Sequence, residues 1–296
     1  MDTRQLEYFV AVAEELNFTR AAARLFAVQS TVSAGIRSLE HDLGTPLFER
    51  STKRVALTSA GSRALPEARS AIEAIDRVRS AAAENSRDIR GRLRVGIFTS
   101  LDYLDLPGLF GEFHERYPLV DLQLTASASG STGFTDDVRR GRVDLAFMGL
   151  AAQDLAGFQV LELTRSDFVA IVPSSHPLAG RAQVDLAELT TETWVDTPAG
   201  FGNRVIIDRA LAERGLSRTI GAQVSELGAV AQFVAAGLGI AVIPIVAYSP
   251  TPATSAVTLE PPVTWSLSAI TRPGASPAIA ALLDLLAERF VGARRA

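Results

Sequence analysis

The chain contains no cysteine, which excludes disulfides, a thiolate zinc site and any thiol-based redox switch. Its three histidines, His41, His114 and His176, are scattered and make no metal-ligand spacing. No apolar run approaches the roughly 18 residues needed to span a bilayer. The first twenty residues carry Asp2, Glu7, Glu14 and Glu15, which does not suit a secretory leader. The expected compartment is therefore the cytoplasm, with no membrane contact. There is no G-x-S-x-G elbow and no paired histidine, and Gly237-Leu238-Gly239 lacks the third glycine of a dinucleotide loop. An enzyme is not expected, and no cofactor is implied. Lysine is the last scarcity: Lys53 is the only one in 296 residues, so any cationic surface must be built almost wholly from arginine.

What is present is a globular composition long enough for a small domain plus one or two larger ones. The net charge of −4, taken alone, argues against a polyanionic partner, because phosphate affinity comes from Lys and Arg. Its distribution reverses that inference. From Leu16 to Leu65 there are seven basic against three acidic side chains, whereas residues 91–296 hold 16 basic against 21 acidic. Nucleic acid is therefore expected at the amino-terminal end alone.

In that basic stretch apolar residues recur at helical spacing, with Ala22, Ala23 and Leu25 in one segment and Val32, Ile36, Leu39 and Leu43 in the next. Phe26 to Val28 between them is short enough only for a tight turn. An earlier amphipathic helix, about Thr3 to Leu16, carries Leu6, Phe9, Val10 and Ala13 on one stripe. The second helix of the pair offers Gln29, Ser30, Thr31, Ser33 and Arg37 near its leading face, side chains suited to a major groove. Gly44 and Pro46 end it. Beyond them Arg50, Lys53 and Arg54 surround a polar turn before Val55 and Leu57, the pattern of a two-stranded wing. Together with Arg20 these are the candidate DNA contacts.

LEYFVAVAEELNFTRAAARL, QSTVSAGIRSLEHDLGTPLFER and LTSAG, over roughly residues 1–62, resemble the amino-terminal domain of LysR-type transcriptional regulators. A weaker likeness in order and spacing continues to the end of the chain. Two features depart from the family pattern. Val28 stands where a Ser or Thr usually opens the recognition helix, which removes a side-chain cap worth about 1 kcal/mol, and Ser30 is the expected substitute cap. Ala34 and Gly35 replace the Arg and Gln that many members carry in mid-helix, so base contacts are not expected from there.

After Thr58 the stretch from Ser59 to about Ser86 carries Leu65, Ala68, Ile72, Ile75 and Val78 along one narrow seam. Such a helix either packs on its own domain or pairs two subunits. The narrow seam and the family resemblance favour pairing through Ile72, Ile75 and Val78, with Pro66 kinking the helix or ending its first turns. A two-fold dimer would present two recognition helices to a palindromic operator in double-stranded DNA. The resemblance further implies a tetramer and allows RNA polymerase as a partner.

From residue 92 strands and helices alternate, predicting α/β architecture with largely parallel sheets. Phe158–Leu163 and Asp167–Pro173 read as two separate strands. GRVDLAFMGL and VAAGLGIAVIP resemble the family's effector domain, which implies two lobes in the manner of periplasmic binding proteins. That resemblance implies lobe one at 92–160 with 268–296, lobe two at 161–267, and a small-molecule effector between them. The expected fold is thus a winged helix-turn-helix over residues 1–58, a linker helix over 59–88 and an effector domain over 92–296.

In open α/β sheets ligands bind past the carboxyl ends of strands, where helix amino termini point free N–H groups. The segments in that place offer Thr99, Ser100, Ser131, Phe201, Gly202, Asn203 and Ser225; the family resemblance implies that Ser100, Ser131, Phe201, Gly202 and Ser225 line the cleft and that Gly149 lies on its hinge side. The small and hydroxyl residues of these segments suit a small polar or anionic ligand, whose charge stays open because Asp102 and Glu226 would repel an anion. The same Ser and Thr residues would also serve as plain helix caps. Two functions remain open from sequence alone: an effector-responsive DNA-binding regulator, or a small-molecule binding or transport-type protein whose first helices serve only association.

Overall fold

In the computed structural model, which describes residues 1–50, 55–81, 89–98, 104–127 and 129–291, the first helix opens with a reciprocal cap. In α1 (Thr3–Glu15) the Gln5 N–H donates to Asp2 Oδ1 and the Asp2 N–H to Gln5 Oε1, each at 2.8 Å, which satisfies two otherwise orphaned donors. Asn17 caps α2 (Phe18–Arg24) by accepting from the N–H groups of Thr19 and Arg20. No side chain caps α3 (Gln29–Leu43). Ser30 does not take over from Val28, because it already lies inside the helix, and a cap needs the extended backbone of the residue ahead of it.

Phe9, Val12, Ala21, Val32, Ile36, Leu39, Leu47 and Phe48 form the buried core of these helices. Gly35 has a packing reason: a Cβ there would lie 2.5 Å from the Tyr8 ring, so the glycine lets α1 press its aromatic side chain onto α3. β1 (Phe48–Arg50) and β2 (Val55–Leu57) pair antiparallel, with Phe48 opposite Leu57, which makes the two-stranded wing. Lys53, Arg54 and the side chain of Arg50 lie outside the described residues.

α4 (Ser59–Ala81) carries Pro66 within it and continues past it, so the proline does not end the helix. Residues 82–88, where the helix was expected to finish, lie outside the described residues. Ala68 is buried and Leu65 and Ile72 pack on the winged-helix core, whereas Val78 is 71% exposed. The seam therefore divides: its first part is used within its own domain. Glu14 ties three helices together, with Oε2 accepting from Arg24 (2.5 Å) and Oε1 from the buried Arg69 (2.9 Å).

The chain separates into two units, Met1–Asp88 and Ile89–Ala296. In the second, the main sheet among the described residues runs in the order β4 (Val120–Ala126), β3 (Gly91–Ile97), β5 (Leu145–Met148), β12 (Thr264–Thr271), β6 (Gln159–Pro173), β11 (Thr254–Leu259), β7 (Gln183–Val184), with β10 (Ala241–Pro244) also on β6. The stretch expected to hold two strands is the single strand β6. Its first part, Gln159 to Asp167, pairs with β12, and from Phe168 it pairs with β10 and β11. Every one of those pairings, and that of β12 with β5, is antiparallel. The sheet is therefore mixed rather than largely parallel, and the parallel pairs are β3 with β4 and β5, and β11 with β7. A separate parallel pair joins β8 (Thr193–Asp196) to β9 (Thr219–Gln223).

Helices cover this framework: α5 (Leu106–Arg116), α6 (Gly130–Arg139), α7 (Gly202–Ala212), α8 (Val230–Ala235) and α9 (Pro277–Leu286). One face of β5 packs Ala146 and Met148 against Phe134 and Val138 of α6. On the other half Val169 and Ile171 of β6 meet Val230 and Val234 of α8. These are two satellite cores on either side of a large one that includes Trp194 and Trp265, the arrangement of two lobes hung on shared strands.

Candidate functional site

α3 carries the first site. Val32, Ile36 and Leu39 face the core, which by helical geometry turns Gln29, Ser33 and Arg37 to one flank at a spacing of four. Gln29, Ser30, Thr31 and Arg37 are exposed and Ser33 is half-buried. Arg37 Nη1 donates to Ser33 Oγ at 3.2 Å, so those two side chains form a pair on the helix surface. Arg20 is placed differently: on α2 its Nε donates to Glu15 Oε2 at 3.2 Å, which occupies the guanidinium. A shallow groove beside this face is lined by Arg4 and Tyr8 of α1 and by Ser30, Thr31, Ala34 and Ser38 of α3. Arg4 Nε donates to the Tyr8 hydroxyl at 3.1 Å. Arg4 went unnoticed in the sequence because it stands apart from the basic stretch.

Glu14 is the electrostatic anchor of this unit. Burial pushes its carboxyl up, but the hydrogen bonds from Arg24 and Arg69 outweigh that and hold it below the ordinary glutamate range.

The second site lies in the other unit, past the ends of β5 and β8. Gly149 follows β5, and a Cβ on Gly202 would lie 2.4 Å from the Gly149 carbonyl oxygen, so only glycine allows the start of α7 to touch this strand end. The Thr132 N–H of α6 donates to the Gly200 carbonyl at 3.1 Å. These contacts bring Ser131, Gly149, Phe201 and Gly202 together. Asn203 joins them through Thr197, whose Oγ1 donates to Asn203 Oδ1 at 3.1 Å inside the protein. Phe98, following β3, lies against Phe134 and Phe201 at ring separations of 5.5 and 6.3 Å. Ser225 is exposed beyond β9, next to Val224, whose N–H donates to the Asp196 carbonyl at 2.9 Å. Thr99 and Ser100 lie outside the described residues.

The buried polar atoms here with no hydrogen-bond partner among the described residues include Ser131 Oγ and Asn203 Nδ2. Ser131 is fully buried and Asn203 is buried as well. Burying such groups unpaired costs about 1–3 kcal/mol each, so they mark a place that a further polar group would stabilise. Thr197 and Phe98 were missed by sequence reasoning; the hydroxyl following a short buried strand was the available signal for Thr197. Next to them, burial pushes the Asp196 carboxyl up even though it pairs with Arg218, whose guanidinium lies 4.9 Å over the Trp194 ring. That is an internal ion pair with no free charge left for a ligand.

Among the described residues no His, Asp or Glu cluster could hold a metal, and no helix is long and apolar enough to cross a membrane.

Comparison with known proteins matches each of the two units to its own family model. Residues 3–62 match the bacterial regulatory helix-turn-helix model of the lysR family, and residues 86–291 match the LysR substrate binding domain. The chain is 37% identical over 244 residues to the HTH-type transcriptional regulator ShiR of Corynebacterium glutamicum, covering 82% of each protein. It is 34% identical over 243 residues to a probable hydrogen peroxide-inducible genes activator of Mycobacterium avium, covering 81% of this chain and 76% of that one. A full-length OxyR variant from Pseudomonas aeruginosa superposes with a TM-score of 0.76 at 25% identity, covering 97% of this chain and 95% of the other. Regulators of this family bind DNA and small-molecule effectors and form oligomers. A winged helix-turn-helix followed by a two-lobed α/β domain, each matched by its own family model, makes this chain a LysR-type DNA-binding transcriptional regulator with an effector-binding domain.

Proposed function

We propose that a small polar metabolite binds between lobe one (92–160 with 268–296) and lobe two (161–267), and that its binding re-angles paired DNA-binding domains on a palindromic operator. The observation that carries this is the pair of buried, unpartnered atoms, Ser131 Oγ and Asn203 Nδ2, on two segments already joined by the Thr132 to Gly200 hydrogen bond. A ligand oxygen accepting from both would satisfy them and brace the lobes. A ligand shifts such an equilibrium only by its differential affinity for the two arrangements. The protein acts by binding and not by catalysis, in the cytoplasm where its DNA lies. The relative from Mycobacterium avium is named for peroxide induction; with no thiol in this chain, its signal is a bound molecule and not cysteine oxidation.

On the DNA side, Gln29 and Ser33 read base edges, and Arg37, Ser30 and Thr31 accompany them. Arg50, Lys53 and Arg54 hold phosphates from the wing, and Arg20 joins them on release from Glu15. Ile75 and Val78 pair two linker helices, with Ile72 shared between that seam and its own core. Leu119 and Leu124, before and in the edge strand β4, and Phe233 and Leu238, in and after α8, are exposed apolar side chains that suit a second contact making a tetramer. RNA polymerase would meet the assembly at the promoter.

Native mass spectrometry of the purified protein identifies the co-purifying metabolite, and calorimetry compares wild type with Ser131→Ala. The variant is expected to bind several-fold more weakly, from loss of about 0.5–1.5 kcal/mol, with basal DNA affinity unchanged. Equal affinities, or a ligand located outside this cleft, would overturn the assignment.

A further inference from the structure

Val28 is the residue directly ahead of α3, and its isopropyl group is 69% exposed. In the free protein it contributes nothing visible to folding. It makes no side-chain cap for the helix, and it is not among the described side chains that pack on the winged-helix core. A serine, threonine, asparagine or aspartate in this place would accept a backbone N–H with its side chain, which valine cannot do. A branched apolar side chain thus stands in solvent at the leading end of the recognition helix, beside exposed Gln29.

When a helix-turn-helix docks, the amino-terminal residues of its second helix reach base edges in the major groove. The apolar feature on those edges is the thymine 5-methyl group. We propose that Val28 reads one thymine methyl in each half-site, on the base pair adjacent to the one read by Gln29. The assignment rests on Gln29 being a base-reading residue. It also gives the departure at this position a purpose: helix capping is exchanged for an apolar contact that tells thymine from cytosine without a hydrogen bond. The neighbouring mid-helix residues, Ala34 and Gly35, carry no long polar side chain, which raises the weight of each contact at the helix's leading end.

The test uses the full-length protein and a duplex selected by it from a random pool. Each thymine of the selected site is replaced in turn by deoxyuridine, which removes only the methyl group and leaves every hydrogen-bonding position in place. Affinity is read by fluorescence anisotropy at one fixed salt concentration. Wild type should lose roughly three- to five-fold in affinity at one thymine per half-site, the amount expected for one buried methyl group. Val28→Ser should bind the thymine and deoxyuridine duplexes equally at that position, while Gln29→Ala still alters the preference at the adjacent pair. If Gln29→Ala shifts sequence preference but Val28→Ser keeps the full deoxyuridine penalty, or if wild type shows no penalty at any thymine, Val28 does not read DNA and its exposed side chain is left for a protein contact. If neither Gln29→Ala nor Val28→Ser changes the ranking of any duplex, the base-reading role of α3 falls with it.

Discussion

Replacing Glu14 by glutamine tests the ion-pair node that joins α1, α2 and α4. The side chain keeps its size, so packing is preserved while the charge goes. One carboxylate oxygen serves Arg24 and the other serves Arg69. In glutamine one of those atoms becomes an NH2 group facing a guanidinium donor. Arg24 retains Glu15 at 3.4 Å, and the Arg69 side chain, only 7% exposed, loses its 2.9 Å contact with the Glu14 carboxylate. Exposed pairs contribute about 0–1 kcal/mol, whereas breaking a buried pair costs about 3–5 kcal/mol. With Glu14 itself 21% exposed, an intermediate loss of about 2–4 kcal/mol is expected. The pH dependence supplies a second signature. The folded-state carboxyl lies below its ordinary value of 4.5, so its stabilisation is fully present above that pH and is lost as pH falls through the folded value. Urea unfolding followed by DNA-binding competence should place Glu14→Gln well below wild type at pH 7, with the two curves converging below about pH 4.5. Equal midpoints at neutral pH, or a gap that persists unchanged in acid, would refute the assignment of the node.

Gln29→Ala should relax sequence preference at one base pair by about 1–3 kcal/mol, whereas Lys53→Ala should weaken all sequences alike and reduce the salt slope by about one; operator-variant titrations at several salt concentrations separate the two. Ile75→Asp should move the protein toward monomer in sedimentation, because an unpaired carboxylate buried in the linker seam costs several kcal/mol; an unchanged oligomer would remove Ile75 from it. Gly202→Ala brings a Cβ against backbone at Gly149, 2.4 Å from its carbonyl oxygen, so the two segments must part. Hydrogen exchange at the Thr132 amide should quicken by the equivalent of about 1–3 kcal/mol, and unchanged protection would show that the contact yields elsewhere.

The winged helix-turn-helix was legible in the sequence because its helices carry apolar residues at helical spacing and Gly44 and Pro46 mark the end of α3, although no local cap marks its start at Val28. The second unit was read less fully. Thr164-Arg165-Ser166 looked like a break between strands, yet β12 pairs straight across it, a partner far away in sequence. β11 went unread because its alternation rests on Thr and Ser as much as on Val and Leu. Sheet direction was misjudged for a related reason: alternating strands and helices suggest parallel neighbours, but the order β5, β12, β6 inserts the last strand of the chain between two earlier ones. At the cleft, Ser131 was visible from its place between glycine and a helix. Its lack of a hydrogen-bond partner, and the approach of Gly202 to Gly149, depend on where two lobes meet, which no local pattern encodes.

β6 has a mechanical consequence. At about 3.3 Å per residue, its fifteen residues form a continuous strand of roughly 50 Å, bonded along its first part to β12 and along its last to β10 and β11. A lobe rotation therefore cannot be taken up by a slack loop alone. It must twist a hydrogen-bonded ladder, whose register already shifts between Leu267 and Ser268. If a ligand rotates the lobes, the pair β6 and β12 would act as a torsion bar, with the shifted register as its compliant point. Under the proposed cleft mechanism, signal amplitude would be set by the stiffness of these two strands, and a ligand that fits the cleft loosely would leave the bar at rest.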